Sequence, residues 1–120
     1  MSTVRLHALI VEDHSTSALS LKAALSVMGF ATFGFASTGP QALAAARARK
    51  PDLVVTSLSL RAGLDKDILT ALGEEIEGAA MIYTCEPDGD AEGADPVLQT
   101  PVGRAALSRA WESVRGELVV

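Results

Sequence analysis

The sequence predicts an α/β domain built on a doubly wound parallel sheet, and three observations predict it. Short apolar runs alternate with segments of helical period along 120 residues, a length that suits one domain spanning 1–120. The first run, Leu6 to Val11, is stopped at once by Glu12 and Asp13, as a strand buried on both faces is. The chain is 48% hydrophobic but only 4% aromatic, so its core has to come from Leu, Val, Ile and Ala.

Each element has its own justification. From about Ser15 to Met28, the residues Ala18, Leu21, Leu25 and Met28 recur at spacings of three and four on one helix face, and Gly29 is a natural stop. Ala31 to Ala36 reads as a second strand. Thr38 and Gln41 are spaced as reciprocal caps of a helix whose first turn tolerates Pro40. That helix runs to about Lys50, with Arg47, Arg49 and Lys50 where its dipole favours cations, and Pro51 ends it. Leu53 to Leu58, rich in β-branched residues, is a third strand. Asp65 to Leu72 is a short helix, Ala79 to Cys85 a fourth strand, and Pro96 to Gln99 a short fifth. Gly103 to about Arg115 is a final helix with Leu107, Trp111 and Val114 on one face. Such alternation implies a parallel sheet covered on both sides, and right-handed crossovers leave few topologies. The flavodoxin-like strand order 2-1-3-4-5 is the natural one, with any ligand site at the C-terminal ends of the strands.

Charge excludes some functions. Five of the fifteen acids, Glu86, Asp88, Asp90, Glu92 and Asp95, lie in one short run without a base; the remainder of the chain is neutral. No basic face for a phosphate backbone results, so nucleic-acid binding is not expected. No apolar stretch approaches membrane-spanning length, and none reads as a signal peptide. The lone Cys85 cannot form an internal disulfide, which fits a reducing cytoplasm.

The expected strand ends bring specific side chains together. The first ends in the carboxylate pair Glu12 and Asp13, which repel unless solvated or neutralised by a cation such as Mg²⁺. The third ends at Ser57, 44 residues after Asp13, the fourth at Thr84, and the fifth leads to Thr100-Pro101. With these residues in place, the chain resembles a bacterial response-regulator receiver domain. The run Leu9-Ile-Val-Glu-Asp13, the helix end Met28-Gly-Phe30, the approach Lys50-Pro-Asp-Leu-Val-Val55, Thr84 and Pro101 all match that family in order and spacing. The resemblance implies a carboxylate pair that holds Mg²⁺ (Glu12 and Asp13) and a hydroxyl that binds phosphoryl oxygen (Thr84). It also implies an aspartate on the third strand that accepts the phosphoryl group, and a lysine before the proline.

Those last two are missing. Ser57 stands where the acceptor aspartate is expected, Thr100 where the lysine is, and Val97 where the family carries a switching aromatic. A carboxylate is ionised at neutral pH and attacks without help; a serine hydroxyl needs a base beside it, and its phosphate is a stable ester rather than a labile anhydride. Losing a third carboxylate also weakens a hard-cation site, so no cofactor is required and Mg²⁺ binding is expected to be weak at most. Only 15 residues separate Thr84 from Thr100, and Glu86-Pro-Asp-Gly-Asp-Ala-Glu-Gly has no apolar period. The helix between the fourth and fifth strands is therefore expected to be short or missing.

The resemblance and these departures together read as a degenerate receiver in two-component or phosphorelay signalling, cytoplasmic and not an enzyme, that acts by protein contact without aspartyl phosphorylation. A histidine kinase, a phosphotransfer protein or another receiver is the expected partner, and a homodimer is an option. The candidate interface is the stripe Leu19, Ala23 and Val27, opposite the core face of a helix whose one charge is Lys22. Two alternatives stay open: a working receiver with an unusual acceptor such as Ser57 or Asp65, and a small-ligand sensor using the vacated pocket. Asp65 and Asp67 read better as helix-start carboxylates, and Asp52 lies at the wrong end of its strand. His7 reads as structural, His14 as a solvent-facing loop residue, Cys85 as a small buried hydrophobe and Trp111 as a packing residue.

Overall fold

A computed structural model describes residues 5–58, 60, 66–76, 79–86 and 96–118. Five parallel strands, β1 (Leu6–Val11), β2 (Phe30–Ala36), β3 (Leu53–Ser57), β4 (Ala80–Cys85) and β5 (Val97–Gln99), lie in the order β2-β1-β3-β4-β5. The helices are α1 (Ser15–Val27), α2 (Gly39–Ala48), α3 (Lys66–Glu75) and α4 (Arg104–Leu118). The doubly wound sheet and its strand order are those the sequence predicts.

Strand alternation sends neighbouring residues to opposite layers. Ala8, Ile10, Leu53 and Val55 join Ala18, Leu21 and Leu25 of α1 and Leu107, Ala110, Trp111 and Val114 of α4 in one core. Leu9, Val11 and Val54 join Ala42 and Ala46 of α2 with Leu72 and Ile76 in the other. Leu25, with no exposed surface, contributes about 2 kcal/mol by leaving water. The scarce aromatics close the first core at one end: the rings of Phe30 and Trp111 meet edge-to-face, 5.1 Å between centroids.

Element ends follow local chemistry, and several differ from expectation. α1 stops at Val27, one residue early, because Gly29 adopts φ +106° and the Met28 N–H turns back to the Ala24 and Leu25 carbonyls. At the start of α2 the Thr38 hydroxyl accepts from the Gln41 N–H at 3.2 Å, as its spacing implies. The Gln41 side chain does not return to Thr38; it accepts from the Ser37 N–H at 2.9 Å, one residue further out. α2 ends at Ala48 rather than Lys50, with Arg49 extended, because Pro51 denies Lys50 a helical backbone and the chain must straighten into β3. α3 continues past Leu72 to Glu75: Leu72 and Ile76, four apart, are both buried, which outweighs the exposed Gly73 between them. β3, β4 and β5 are each one residue shorter than read, and α4 runs from Arg104 to Leu118 rather than from Gly103 to Arg115. The region between β4 and β5 where a helix is expected to be lost falls at 87–95, outside the described residues, as do Asp65 and the side chain of Asp67.

Asp52 belongs to the N-terminal edge of the sheet. Its carboxylate accepts from the His7 N–H at 2.8 Å while its own backbone bonds to His7 and Ala80. His7 is buried, with Nδ1 3.0 Å from the Thr32 hydroxyl. Burial holds its imidazole below the usual 6.5, and the charge of Arg49 adds to this, against the opposing pull of Asp52.

Candidate functional site

At the opposite edge, the C-terminal ends of the strands, polar side chains replace the apolar run. Ser57 is the last residue of β3 and pairs in register with Thr84 of β4. The Leu58 N–H donates to the Thr84 carbonyl at 2.8 Å, so strand pairing holds through the tip and fixes Ser57 there. On the other side of β4, the Thr100 N–H donates to the Cys85 carbonyl at 3.0 Å, and Thr100 joins Pro101 through a cis peptide bond. Glu12, Ser57 and Thr84 are all buried.

Glu12, His14, Ser17, Ser57, Glu86 and Thr100 line one polar pocket of about 100 Å³. Of the three residues expected at a degenerate acceptor site, Ser57 and Thr100 reach this pocket. Thr84 does not line it. Its hydroxyl is buried beside Ser57 with no hydrogen-bond partner among the described residues, a state that costs about 1–3 kcal/mol.

The carboxylate pair stays together, each residue offering an oxygen within 4.8 Å of the other's. Glu12 Oε2 turns back on its own loop and accepts from the backbone N–H groups of Asp13, at 2.8 Å, and His14, at 3.2 Å. Asp13 faces a different groove, between α1 and β2. His14 is a solvent-facing loop residue, as expected, and it also reaches both carboxylates. Although half-exposed, its Nδ1 lies 3.1 Å from Asp13 Oδ1 and 3.5 Å from Glu12 Oε2, close enough to offset both charges when protonated. The three residues each offer one ligand atom within 4.8 Å of the others. This donor set suits Mg²⁺ poorly: a hard cation that keeps octahedral oxygen coordination gains little from an imidazole, and Glu12 Oε2 already takes two N–H donors. Glu12 also borders a third concavity of about 130 Å³, between α1 and the segment Thr100–Val102, so this one residue adjoins three separate hollows.

On the surface, Leu19 is 62% and Val27 67% exposed, and Ala23 is exposed between them. Along α1 the three span about 80° of the helix circumference. Four residues of helix turn through about 400°, so each step drifts about 40° around the axis. Leu19 thus lines a groove with Phe35 and Ala18, while Ala23 and Val27 line another with Val102 and Arg104. Sequence reading named His14 and Glu86 but did not place them beside Ser57, and it missed the half-exposed Phe35. His14 and Glu86 sit next to strand ends, which was a usable signal. Phe35 is exposed only because β2 is at the edge of the sheet, which its own segment does not encode.

No family model and no curated protein matches the sequence. Its fold is that of response-regulator receiver domains. The receiver domain of PhyR from Erythrobacter litoralis superposes with a TM-score of 0.77 at 21% identity, over 93% of this chain and 91% of that one. A receiver domain protein from Clostridium thermocellum gives 0.77 at 24% identity, over 96% and 99%. A CheY-like receiver from Methylobacillus flagellatus gives 0.73 at 24%, over 92% and 99%. At these identities the likeness is one of fold. Among the described residues no helix is long and apolar enough to cross a membrane.

Proposed function

We propose that this chain is a receiver-fold signalling module that works by contact with other proteins and takes up no phosphoryl group on its sheet edge. The observation that carries this reading is Ser57 at the tip of β3, in a pocket lined by Glu12 and Glu86 and, among the described residues, by no lysine or arginine. A phosphoryl group carries at least one full negative charge into a site that already has two. At about 5 Å and an effective dielectric of about 20, each such pair opposes entry by about 3 kcal/mol before screening. Thr100 supplies no compensating cation. Glu12 Oε2 is engaged by two N–H groups and His14 Nδ1 lies against the carboxylates of Asp13 and Glu12, so neither is a ready base for the Ser57 hydroxyl.

Mg²⁺ is not needed for such a role. Its surface is constitutive, since without phosphorylation no second state is drawn out of the ensemble. The apolar residues flanking α1, Leu19, Ala23, Val27 and Phe35, supply a surface for a histidine kinase, a phosphotransfer protein or another receiver. A metabolite-sensing role fits less well, because about 100 Å³ is well below the roughly 300–1,000 Å³ of small-molecule sites. Incubation with acetyl phosphate and Mg²⁺ followed by intact-mass spectrometry tests the reading. The expected spectrum shows the unmodified chain; a stoichiometric phosphoryl adduct abolished by Ser57→Ala overturns it.

A further inference from the structure

The edge strand β2 carries an interaction surface that is independent of the pocket around Ser57. β2 is the outermost strand and, among the described residues, pairs only with β1. Its sequence, Phe30-Ala-Thr-Phe-Gly-Phe-Ala36, contains no charge and no proline, the devices that ordinarily keep an exposed edge from pairing. The Ala36 carbonyl faces β1, where it accepts from the Glu12 N–H at 2.9 Å. Backbone groups alternate sides along a strand, so those of Phe33 and Phe35 face outward from the sheet. The register with β1 slips between Leu6 and His7, which leaves Ala31 as the extra residue of β2 and limits the regular edge to Thr32–Ala36.

We propose that a second copy of this chain pairs with this edge, antiparallel about a two-fold axis at Gly34, so that two five-stranded sheets become one. This register is self-complementary. Gly34 meets its counterpart at the close, non-hydrogen-bonded position, where the absence of side chains prevents a clash. Phe33 of each copy lies opposite Phe35 of the other, in the hydrogen-bonded positions, giving about four main-chain hydrogen bonds and two cross-strand aromatic pairs. Phe35, 49% exposed in the single copy, is thereby covered. The Lys22 ammonium, 5.8 Å from the centre of the Phe33 ring, sits over each pair. The two-fold axis keeps both α1 helices on one face of the joined sheet, next to each other, with the exposed Leu19 beside Phe35 on each side. The uncharged strand adds no repulsion to that of two chains each at −5, so added salt tightens the pair.

Sedimentation equilibrium over a roughly thousandfold concentration range tests the proposal. A monomer–dimer equilibrium is expected that salt strengthens, that Phe35→Lys weakens about tenfold or more, and that Ala44→Lys, exposed on α2 in the other layer, leaves unchanged. Amide hydrogen exchange on the unmodified chain reads the same edge directly: the Phe33 and Phe35 N–H groups gain protection as concentration rises. A monomer throughout, or a dimer in which these two amides exchange no more slowly, overturns the edge interface. Neither result bears on phosphorylation at Ser57.

Discussion

Substituting Ser57 by aspartate tests the electrostatic argument at its source. Glu12 and Ser57 line one pocket, so a carboxylate at position 57 shares it with that of Glu12, at a separation taken as about 5 Å. The gross repulsion is about 3 kcal/mol at an effective dielectric of about 20, and the exposed Glu86 adds a smaller amount after solvent screening. Relaxation of side chains reduces this to a net destabilisation of about 1–3 kcal/mol at neutral pH. Ser57→Asn, similar in shape but neutral, separates steric from electrostatic cost. Urea unfolding of both variants at about pH 7 and at about pH 4 gives the difference between them, which is expected to shrink in acid as carboxylates in this range protonate. Equal stability of the two variants at neutral pH would refute the reasoning, because Glu12 would then not be held against the β3 tip.

Two further outcomes follow from the cores. The folded-state pKa of His7 is lowered from 6.5, so the unfolded chain takes up its proton first; the stability present above 6.5 is lost as pH falls through the folded value. The unfolding free energy from urea titrations should drop on acidification across that window with a slope of up to about 1.4 kcal/mol per pH unit, and His7→Gln should flatten that part of the profile. Trp111→Ala should cost about 3–5 kcal/mol, and a double-mutant cycle with Phe30→Leu should assign about 0.5–1.5 kcal/mol of that to the edge-to-face contact; additivity would mean that the rings do not interact.

What could be read from the sequence divides along physical lines. The strands and their order were legible because burial on both faces leaves an unmistakable apolar run, as in Leu6–Val11, and because alternation with helices restricts topology. The Thr38 cap was legible because it is local. The extra turn of α3 was not: Gly73 argues against it locally, and only burial of Ile76 against the second layer restores it. The meeting of Ser57 and Thr100 at one edge was legible, since a parallel sheet delivers its strand ends there. Thr84 shares that edge, yet which residues line a pocket depends on side-chain direction, and its hydroxyl is buried outside the lining. His14 is solvent-facing as read, but its approach to two carboxylates was not legible, because it depends on how the loop after β1 turns back on itself.

That turn has a consequence for how the edge responds to bound cations. Because Glu12 borders three hollows, whatever neutralises it in one of them removes the attraction the other two would exert. A cationic side chain from a partner lodged beside Leu21 and Val102 would thus alter the field felt at Ser57 without moving an atom of β3. The acid after the first strand acts as a common electrode, and the three hollows form a single circuit.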